Sequence, residues 1–295
     1  MKLHHVLSPA IFFGGVIGKG TDGVVGGPIG APSKFTPPKP PYFLIAGDST
    51  AARDYGWGDG FFRNVKNSAS GKNYAKWGAT TETYRFDKCW DRVLDKAEEA
   101  AENHLPVVML QFGHYHEIEG RDMRVNEYRS SLVEMTREVV AAGGVPVVLS
   151  PLPRRVFKNN RKIGSVSWSK EPLEEVRWAA LNLDGYGAET LDLYGAAAEY
   201  LNSIGEALAV NYQHEPGEDT LLNDMGSNVF GTMVADLLQR KMPELSPYFQ
   251  SRRAVSTRIW AGVYTGGDEK TDPAYDDQGP DLPSIDVKKT HDLDP

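Results

Sequence analysis

The feature that most constrains this chain is a short apolar run that recurs along it. Residues 42–46, 106–113 and 145–150 form such runs, and each has the length of a strand that is buried on both faces of a sheet. Weaker candidates lie at residues 73–76 and 189–193. The sequence therefore predicts a sheet of about five strands, most of them covered on both sides.

Between these runs, apolar residues recur three or four positions apart, which is the spacing of a helix with one buried face. The segments are 86–104, 124–142, 170–183 and 223–241, and the second ends at Gly143-Gly144, as a glycine-capped helix does. Strands joined through helices of this length form right-handed parallel crossovers. The pattern predicts a three-layer α/β/α sandwich, in which functional residues lie at the carboxyl ends of the strands.

The two ends of the chain differ in composition from this middle. Residues 1–41 combine an apolar stretch with a Gly- and Pro-rich arm, which predicts a leader that is either a secretory signal peptide or cytoplasmic. We expect residues 42–250 to form the folded domain and residues 251–295 to form an acidic, disordered tail. Nine acidic and three basic residues lie beyond Gly266, so the tail carries −6 of the formal net charge of −8.

A nearly neutral domain argues against nucleic acid as a partner, because binding to phosphate depends on clustered Lys and Arg. Cys89 is the only cysteine, so no intramolecular disulfide can form, and no Cys and His residues have the spacing of a zinc site. The N-terminal apolar stretch is too short to cross a bilayer. We therefore expect no metal, no cofactor and no membrane span, and a small-molecule or carbohydrate ligand as the partner. The sequence does not indicate an oligomeric state.

Several short motifs follow the predicted strands in a fixed order. They are Gly47-Asp48-Ser49-Thr50, Gly56-Trp57-Gly58, Asn73-Tyr74-Ala75-Lys76-Trp77-Gly78, Gln111-Phe112-Gly113-His114, Glu127-Tyr128-Arg129, Pro151-Leu152-Pro153-Arg154-Arg155 with Phe157, and Asp219-Thr220-Leu221-Leu222-Asn223 with Gly226. This set resembles the SGNH/GDSL hydrolases, and within them the rhamnogalacturonan acetylesterase-like carbohydrate esterases. The resemblance covers about residues 42–242 and implies the flavodoxin-like α/β/α fold of that superfamily.

The resemblance also implies roles for individual residues. Ser49 stands at the position of the nucleophile, for which the alternative is a hydroxyl that caps the next helix. Asp48 stands at the position of an adjacent acid that accepts backbone N–H bonds. Gly78 stands at the position of the oxyanion-hole glycine, and the alternative is an ordinary turn glycine. Trp77 precedes Gly78 and is expected to border the cleft.

Two positions depart from the family pattern. Tyr115 replaces the asparagine whose amide would face the oxyanion, and such a loss costs about 10²–10³-fold in rate unless the tyrosine hydroxyl donates instead. Leu221 replaces the histidine that acts as base, and Glu218 replaces the aspartate three residues before it. Because leucine cannot take up a proton, the second departure costs about 10⁴–10⁶-fold in rate.

Other histidines could replace this base. His214 lies seven residues before Leu221 on a Gly- and Pro-containing loop, and it is either a displaced base or an exposed loop histidine. His116 follows the lost asparagine position and could act as a donor or as an acid/base at the mouth of the cleft. His114 is usual in this family, so it carries no information about a replacement. Arg155 either holds a substrate carboxylate or packs its own loop.

Two functions therefore stay open. The first is a serine esterase that acts on a small or carbohydrate ester, with Ser49 as nucleophile and a displaced base. The second is a repurposed scaffold, either a ligand-binding pseudo-esterase or a catalyst of non-hydrolytic acid/base chemistry such as a biosynthetic rearrangement or cyclisation. That chemistry would use Tyr115, His116, Asp48 and Glu218.

Overall fold

A parallel sheet forms the centre of the computed structural model, which describes residues 39–114, 125–157, 163, 172–183 and 186–267. The strands are β1 Pro41–Gly47, β2 Ser70–Asn73, β3 Leu105–Gln111, β4 Val145–Leu149 and β5 Glu189–Leu191. Their order is β2-β1-β3-β4-β5, and every neighbouring pair is parallel. The predicted five-stranded parallel sheet is confirmed.

Helices cover both faces of this sheet. In chain order they are α1 Gly58–Phe62, α2 Thr81–Phe86, α3 Cys89–Ala101, α4 Val125–Ala141, α5 Pro172–Leu181, α6 Leu193–Ile204, α7 Glu206–Ala209, α8 Asp224–Lys241 and α9 Arg253–Trp260. The four predicted helices correspond to α3, α4, α5 and α8. Gly143 ends α4 with a φ of +78°, and its N–H donates to the Val140 carbonyl at 3.0 Å, as a glycine cap requires.

Alternate side chains of β1 enter two different cores, which explains the three layers. Phe43 and Ile45 pack with α1, α6, α8 and α9 on one face of the sheet. Leu44 and Ala46 pack with α2, α3, α4 and α5 on the other face. Both sets are fully buried, so the strand has no polar face and appears in the sequence as one continuous apolar run.

The edge strand β2 lies earlier in the chain than the strand predicted at residues 73–76. It pairs with β1 from Tyr42 opposite Ser70 to Ile45 opposite Asn73. Its sequence, SGKN, contains no apolar side chain, because an edge strand with exposed and half-buried positions does not need one. Apolar periodicity therefore cannot locate this strand.

Helices α1 and α8 approach each other closely through glycine. A Cβ on Gly60 would lie 1.8 Å from the Ser227 carbonyl oxygen, and a Cβ on Gly231 would lie 2.2 Å from the Phe61 nitrogen. The Gly60 N–H also donates to Ser227 Oγ at 3.1 Å. Only glycine permits this approach, which joins the segment after Ser49 to the last long helix.

The folded domain extends past the boundary expected at residue 250. Val255 and Ile259 of α9 are buried in the core, and Trp260 Nε1 donates to Asp236 Oδ2 at 2.7 Å. The Tyr212 hydroxyl donates to the Thr265 carbonyl at 2.9 Å. The first 17 residues assigned to the tail, 251–267, thus belong to the domain, because their apolar side chains complete its core. The predicted leader and the acidic residues 268–295 lie outside the described residues, apart from residues 39–41.

Across the residues that the structure describes, no helix is both long and apolar enough to pass through a membrane.

Candidate active site

The candidate site lies where the chain leaves β1 and β3. These strands are neighbours at the centre of the sheet, but the chain continues from β1 to α1 on one face and from β3 to α4 on the other. In open α/β sheets this divergence creates a crevice at the carboxyl ends of the two strands. Ser49 follows β1 and His114 follows β3, so both residues lie beside this crevice.

Asp48 holds the two strand ends together. Its Oδ1 accepts hydrogen bonds from the Thr50 N–H at 3.0 Å and the Thr50 hydroxyl at 2.8 Å, and its Oδ2 accepts one from the His114 N–H at 3.1 Å. Burial raises the pKa of this carboxyl to about 6, although the hydrogen bonds oppose the shift. The carboxylate therefore performs the structural task that its position implied.

A second group of buried polar side chains supports the same turn. Gln111 Oε1 accepts a hydrogen bond from Trp57 Nε1 at 2.8 Å, and Gln111 Nε2 lies 2.8 Å from the Thr50 hydroxyl oxygen. The Trp57 N–H donates to the Thr50 carbonyl at 2.9 Å. These contacts join the Gly56-Trp57-Gly58 motif to Gln111 in one hydrogen-bond network. The two motifs are visible in the sequence, but their connection is not.

Ser49 occupies a buried turn with its side chain 1 % exposed. Its carbonyl accepts the Ala52 N–H at 3.2 Å, and α1 begins only at Gly58 with Trp57 as its N-cap. The hydroxyl therefore does not cap the next helix, which was the alternative role. Within the described residues the Ser49 hydroxyl also makes no hydrogen bond, so no imidazole of that part of the chain is hydrogen-bonded to it.

Gly78 lies on a loop that continues from β2 past the end of β1. The Tyr74 N–H donates to the Ile45 carbonyl at 2.7 Å and the Lys76 N–H donates to the Gly47 carbonyl at 2.9 Å. Gly78 has a φ of +70°, a conformation that side chains disfavour, so glycine is needed here for the backbone itself. Trp77 is 46 % exposed, as expected for a residue that borders a cleft.

His214 lies on a hairpin that spans residues 213–222. Its N–H donates to the Leu221 carbonyl at 3.0 Å, so His214 stands opposite the position where the family has its base. The Leu222 N–H donates to the Tyr55 carbonyl at 2.8 Å, and the His214 and Tyr55 rings lie 3.8 Å apart. Tyr55 also meets Trp77 edge to face at 5.5 Å. The hairpin thus brings His214 into one aromatic cluster with Trp77.

Glu218 caps the turn of this hairpin instead of orienting an imidazole. Its Oε1 accepts the Thr220 N–H at 2.7 Å and the Leu221 N–H at 3.1 Å. Arg155 holds the same turn by donating to the Thr220 carbonyl at 3.3 Å and the Leu221 carbonyl at 2.6 Å. Burial lowers the pKa of Arg155 to about 10. Of the two roles considered for Arg155, these contacts correspond to packing of the loop.

His114 is 4 % exposed and lies between β3 and the hairpin. Its Nε2 lies 3.1 Å from the Thr220 hydroxyl oxygen. Burial lowers the pKa of the imidazole to about 3, and the positive charges of Arg154 and Arg155 contribute in the same direction. This histidine is therefore neutral at ordinary pH.

Two predicted site residues, Tyr115 and His116, lie outside the described residues, and their roles stay predictions. In the described part of the chain, no three His, Cys, Asp or Glu side chains are grouped as metal ligands would be.

No protein-family model and no curated protein sequence matches this chain. Among solved structures, protein YxiM from Bacillus subtilis is similar with a TM-score of 0.57 and 18 % identity; the match covers 69 % of this chain and 57 % of YxiM. The lipase/acylhydrolase from Enterococcus faecalis aligns with a TM-score of 0.46 and 15 % identity, over 68 % of this chain and 95 % of that one. The acetylxylan esterase Axe2 from Geobacillus stearothermophilus aligns with a TM-score of 0.47 and 13 % identity, over 71 % of this chain and 96 % of that one.

With strands in the order β2-β1-β3-β4-β5 and helices on both faces, this chain is a five-stranded parallel α/β/α sandwich, and its match to YxiM is a similarity of fold alone.

Proposed function

We propose that this protein is a serine esterase that hydrolyses a small or carbohydrate ester, with Ser49 as the nucleophile. One observation carries this proposal. Asp48 and the Gln111 network fix the Ser49 turn at the central crevice, yet the Ser49 hydroxyl has no structural task among the described residues. A hydroxyl that caps no helix and holds no neighbour at such a position is typical of a nucleophile.

The proposed oxyanion hole uses backbone N–H groups, among them that of Gly78, with Tyr115 in place of the family's asparagine. The proposed base lies away from position 221, because leucine cannot accept a proton. His214 and His116 are the replacements that the sequence offers. His214 borders the aromatic cluster, with its Nε2 3.7 Å from Glu215 Oε1.

The proposed substrate class is an acetylated carbohydrate. Support comes from the motifs shared with rhamnogalacturonan acetylesterases and from the half-exposed Trp77 beside Tyr55 and His214. An exposed indole offers a flat apolar surface with one polar edge, which suits the C–H face and hydroxyl rim of a sugar ring.

The second candidate is a repurposed scaffold that binds a ligand or performs non-hydrolytic acid/base chemistry. The observation that favours it is the contact of Glu218 with the N–H groups of Thr220 and Leu221. This carboxylate serves its own turn, and Leu221 cannot accept a proton, so these two positions do not supply the family's Asp–His pair.

Hydrolysis of an aryl acetate separates the two candidates. We expect slow turnover by the wild type, background rates for Ser49→Ala, and unchanged rates for Ser251→Ala, an exposed serine. Leu221→His should raise the rate that depends on Ser49 by at least about 10-fold, since it restores an imidazole at the family's position. Leu208→His, at an exposed leucine elsewhere in the domain, is the control.

Equal inertness of the wild type and Ser49→Ala, together with no gain from Leu221→His, would reject the esterase. Calorimetric titration with acetylated oligosaccharides then tests the second candidate, which predicts binding without turnover.

A further inference from the structure

One buried polar atom near the site has no partner. His114 Nδ1 is inaccessible to solvent, and within the described residues it makes no hydrogen bond. Leaving such a nitrogen unpaired costs about 1–3 kcal/mol, so a buried orphan beside a crevice indicates that another group meets it in some state of the protein. The rest of the imidazole is well fixed, through Nε2 and through the backbone N–H that donates to Asp48.

The neighbours of His114 determine which nitrogen carries its proton. The Thr220 hydroxyl has one proton, and its oxygen lies 3.0 Å from Asp219 Oδ1 and 3.1 Å from His114 Nε2. A carboxylate only accepts hydrogen bonds, so the hydroxyl proton points to Asp219. The hydroxyl oxygen must then accept a hydrogen bond from His114 Nε2–H. The neutral imidazole therefore has its lone pair on Nδ1, the unpartnered nitrogen.

Asp48 holds both His114 and the Ser49 turn. Its Oδ2 accepts the N–H of His114, while its Oδ1 accepts two bonds from Thr50, the residue after Ser49. One carboxylate thus binds the backbone of His114, whose Nδ1 is an acceptor without a donor, and the turn that carries the Ser49 hydroxyl, a donor without an acceptor among the described residues. Catalytic hydrogen bonds often form only once substrate is bound, so their absence in a free enzyme is compatible with this pairing.

We propose that His114 Nδ1 accepts the proton of Ser49, and that Thr220 and Asp219 hold the imidazole in the tautomer that leaves this nitrogen free. The inference rests on the proposed function and names its base, at a position that the sequence pattern treated as uninformative. Asp219, Thr220 and His114 would then take the place of the missing Asp–His pair.

The steps balance as in other serine esterases. Ser49 Oγ forms a bond to the ester carbonyl carbon while its proton moves to His114 Nδ1. The ester C–O bond then breaks, and the same proton moves to the departing alcohol oxygen. Water then attacks the acyl carbon while one of its protons moves to His114 Nδ1; the bond from the acyl carbon to Ser49 Oγ breaks, the acid is released, and this proton moves to Ser49 Oγ. The imidazolium formed in between is stabilised by its Nε2–H bond to Thr220, whose hydroxyl is polarised by Asp219.

The burial of His114 also sets the expected speed. Because burial lowers the pKa of the imidazole, His114 is a weaker base than an exposed histidine, and proton transfer from Ser49 is slowed. We therefore expect a slow esterase rather than an inert protein.

Nuclear magnetic resonance of the imidazole nitrogens tests the arrangement without any activity. With ¹⁵N-labelled full-length protein near pH 7, His114 should appear as the neutral Nε2–H tautomer. Thr220→Ser should keep this signature, and Thr220→Val should lose the hydrogen-bonded Nε2–H signal. An Nδ1–H tautomer in the wild type would overturn the proposal.

Aryl acetate kinetics test the role in catalysis. His114→Gln, whose amide cannot take up a proton, should lower kcat by about 10–10²-fold. Thr220→Val should lower kcat by about 10-fold with KM unchanged, and Thr220→Ser should restore it. His104→Gln, outside the site, is the matched control for the histidine exchange. If His114→Gln does not fold, the two Thr220 variants decide alone.

The outcomes separate the inference from the function on which it rests. Activity lost in Ser49→Ala but retained in His114→Gln and Thr220→Val overturns the inference alone. A loss of activity that occurs only in His214→Gln or only in His116→Gln would also overturn the inference and leave the proposed function standing. A wild type as inert as Ser49→Ala overturns the proposed function and, with it, this base.

Discussion

Asp48→Asn is the substitution whose effect on stability follows most directly from the contacts of the site. Burial raises the pKa of this carboxyl from 3.8 to about 6 in the folded protein, so the native state binds the proton more tightly than the unfolded state. Asp48 therefore destabilises the fold least below pH 3.8, where its carboxyl is protonated in both states. The destabilisation grows as the pH rises and is complete once the pH has passed 6. At about 1.36 kcal/mol per pH unit, ionised Asp48 costs the fold about 3 kcal/mol above pH 6.

Asparagine removes this cost but changes the hydrogen bonds. Its carbonyl can keep the two bonds from Thr50, while its amide faces the His114 N–H as donor against donor. A buried N–H without an acceptor costs about 1–3 kcal/mol. The two effects oppose each other at pH 7.5, so we expect the variant within about 2 kcal/mol of the wild type there. When the pH is lowered from 7.5 to 5, the free energy of unfolding of the wild type should rise by about 1.4 kcal/mol relative to that of the variant.

Urea unfolding of both proteins at pH 5 and pH 7.5, followed by tryptophan fluorescence, measures this difference. Asp236, whose pKa burial also raises, is present in both proteins and cancels. Thr50→Val should steepen the dependence on pH, because it removes a hydrogen bond that lowers the pKa of Asp48. A difference in unfolding free energy between wild type and Asp48→Asn that is equal at both pH values would refute the reasoning.

Three further predictions concern the rim of the site. Arg155→Met should destabilise the domain by about 1–3 kcal/mol, measured by urea unfolding, because it removes the side-chain donor of the Thr220 carbonyl and one of the two donors of the Leu221 carbonyl; a smaller loss from Arg155→Lys would agree with this cause. Trp77→Ala should change stability by less than about 1 kcal/mol but raise KM for an acetylated oligosaccharide by about 10-fold; equal KM values would exclude Trp77 from binding. Gly78→Ala should cost about 1–2 kcal/mol in thermal unfolding because of its φ of +70°; no loss would mean that the loop adopts another conformation.

The central part of this fold was predictable because its physical signals are local. β1, β3 and β4 are buried on both faces and so appear as apolar runs, and α3, α4 and α8 are long enough to show helical periodicity. β2 is polar, and α1 has only 5 residues, so neither carries a pattern that can be distinguished from a loop. The position of α9 depends on its contacts with the core rather than on its composition.

The candidate site likewise contains residues whose position could be predicted from the sequence and residues whose partners could not. Asp48, Ser49 and Gly78 follow predicted strands in recognisable motifs, so their neighbourhood could be predicted. The partner of His114 could not, because Thr220 is 106 residues away and meets it only through the packing of the hairpin against β3. Glu218 looked like half of a catalytic pair in the sequence, and only its contacts with the N–H groups of its own turn reveal its present task.

The glycine contact between α1 and α8 has a consequence for synthesis on the ribosome. Gly60 and Ser227 are separated by 167 residues, so α1 lacks its partner helix while most of the intervening chain is still being made. The growing chain can pair β1 with β3 early, but the wall of the crevice formed by α1 must wait until α8 has emerged. The Ser49 turn is therefore translated long before α8 can enclose its side of the crevice.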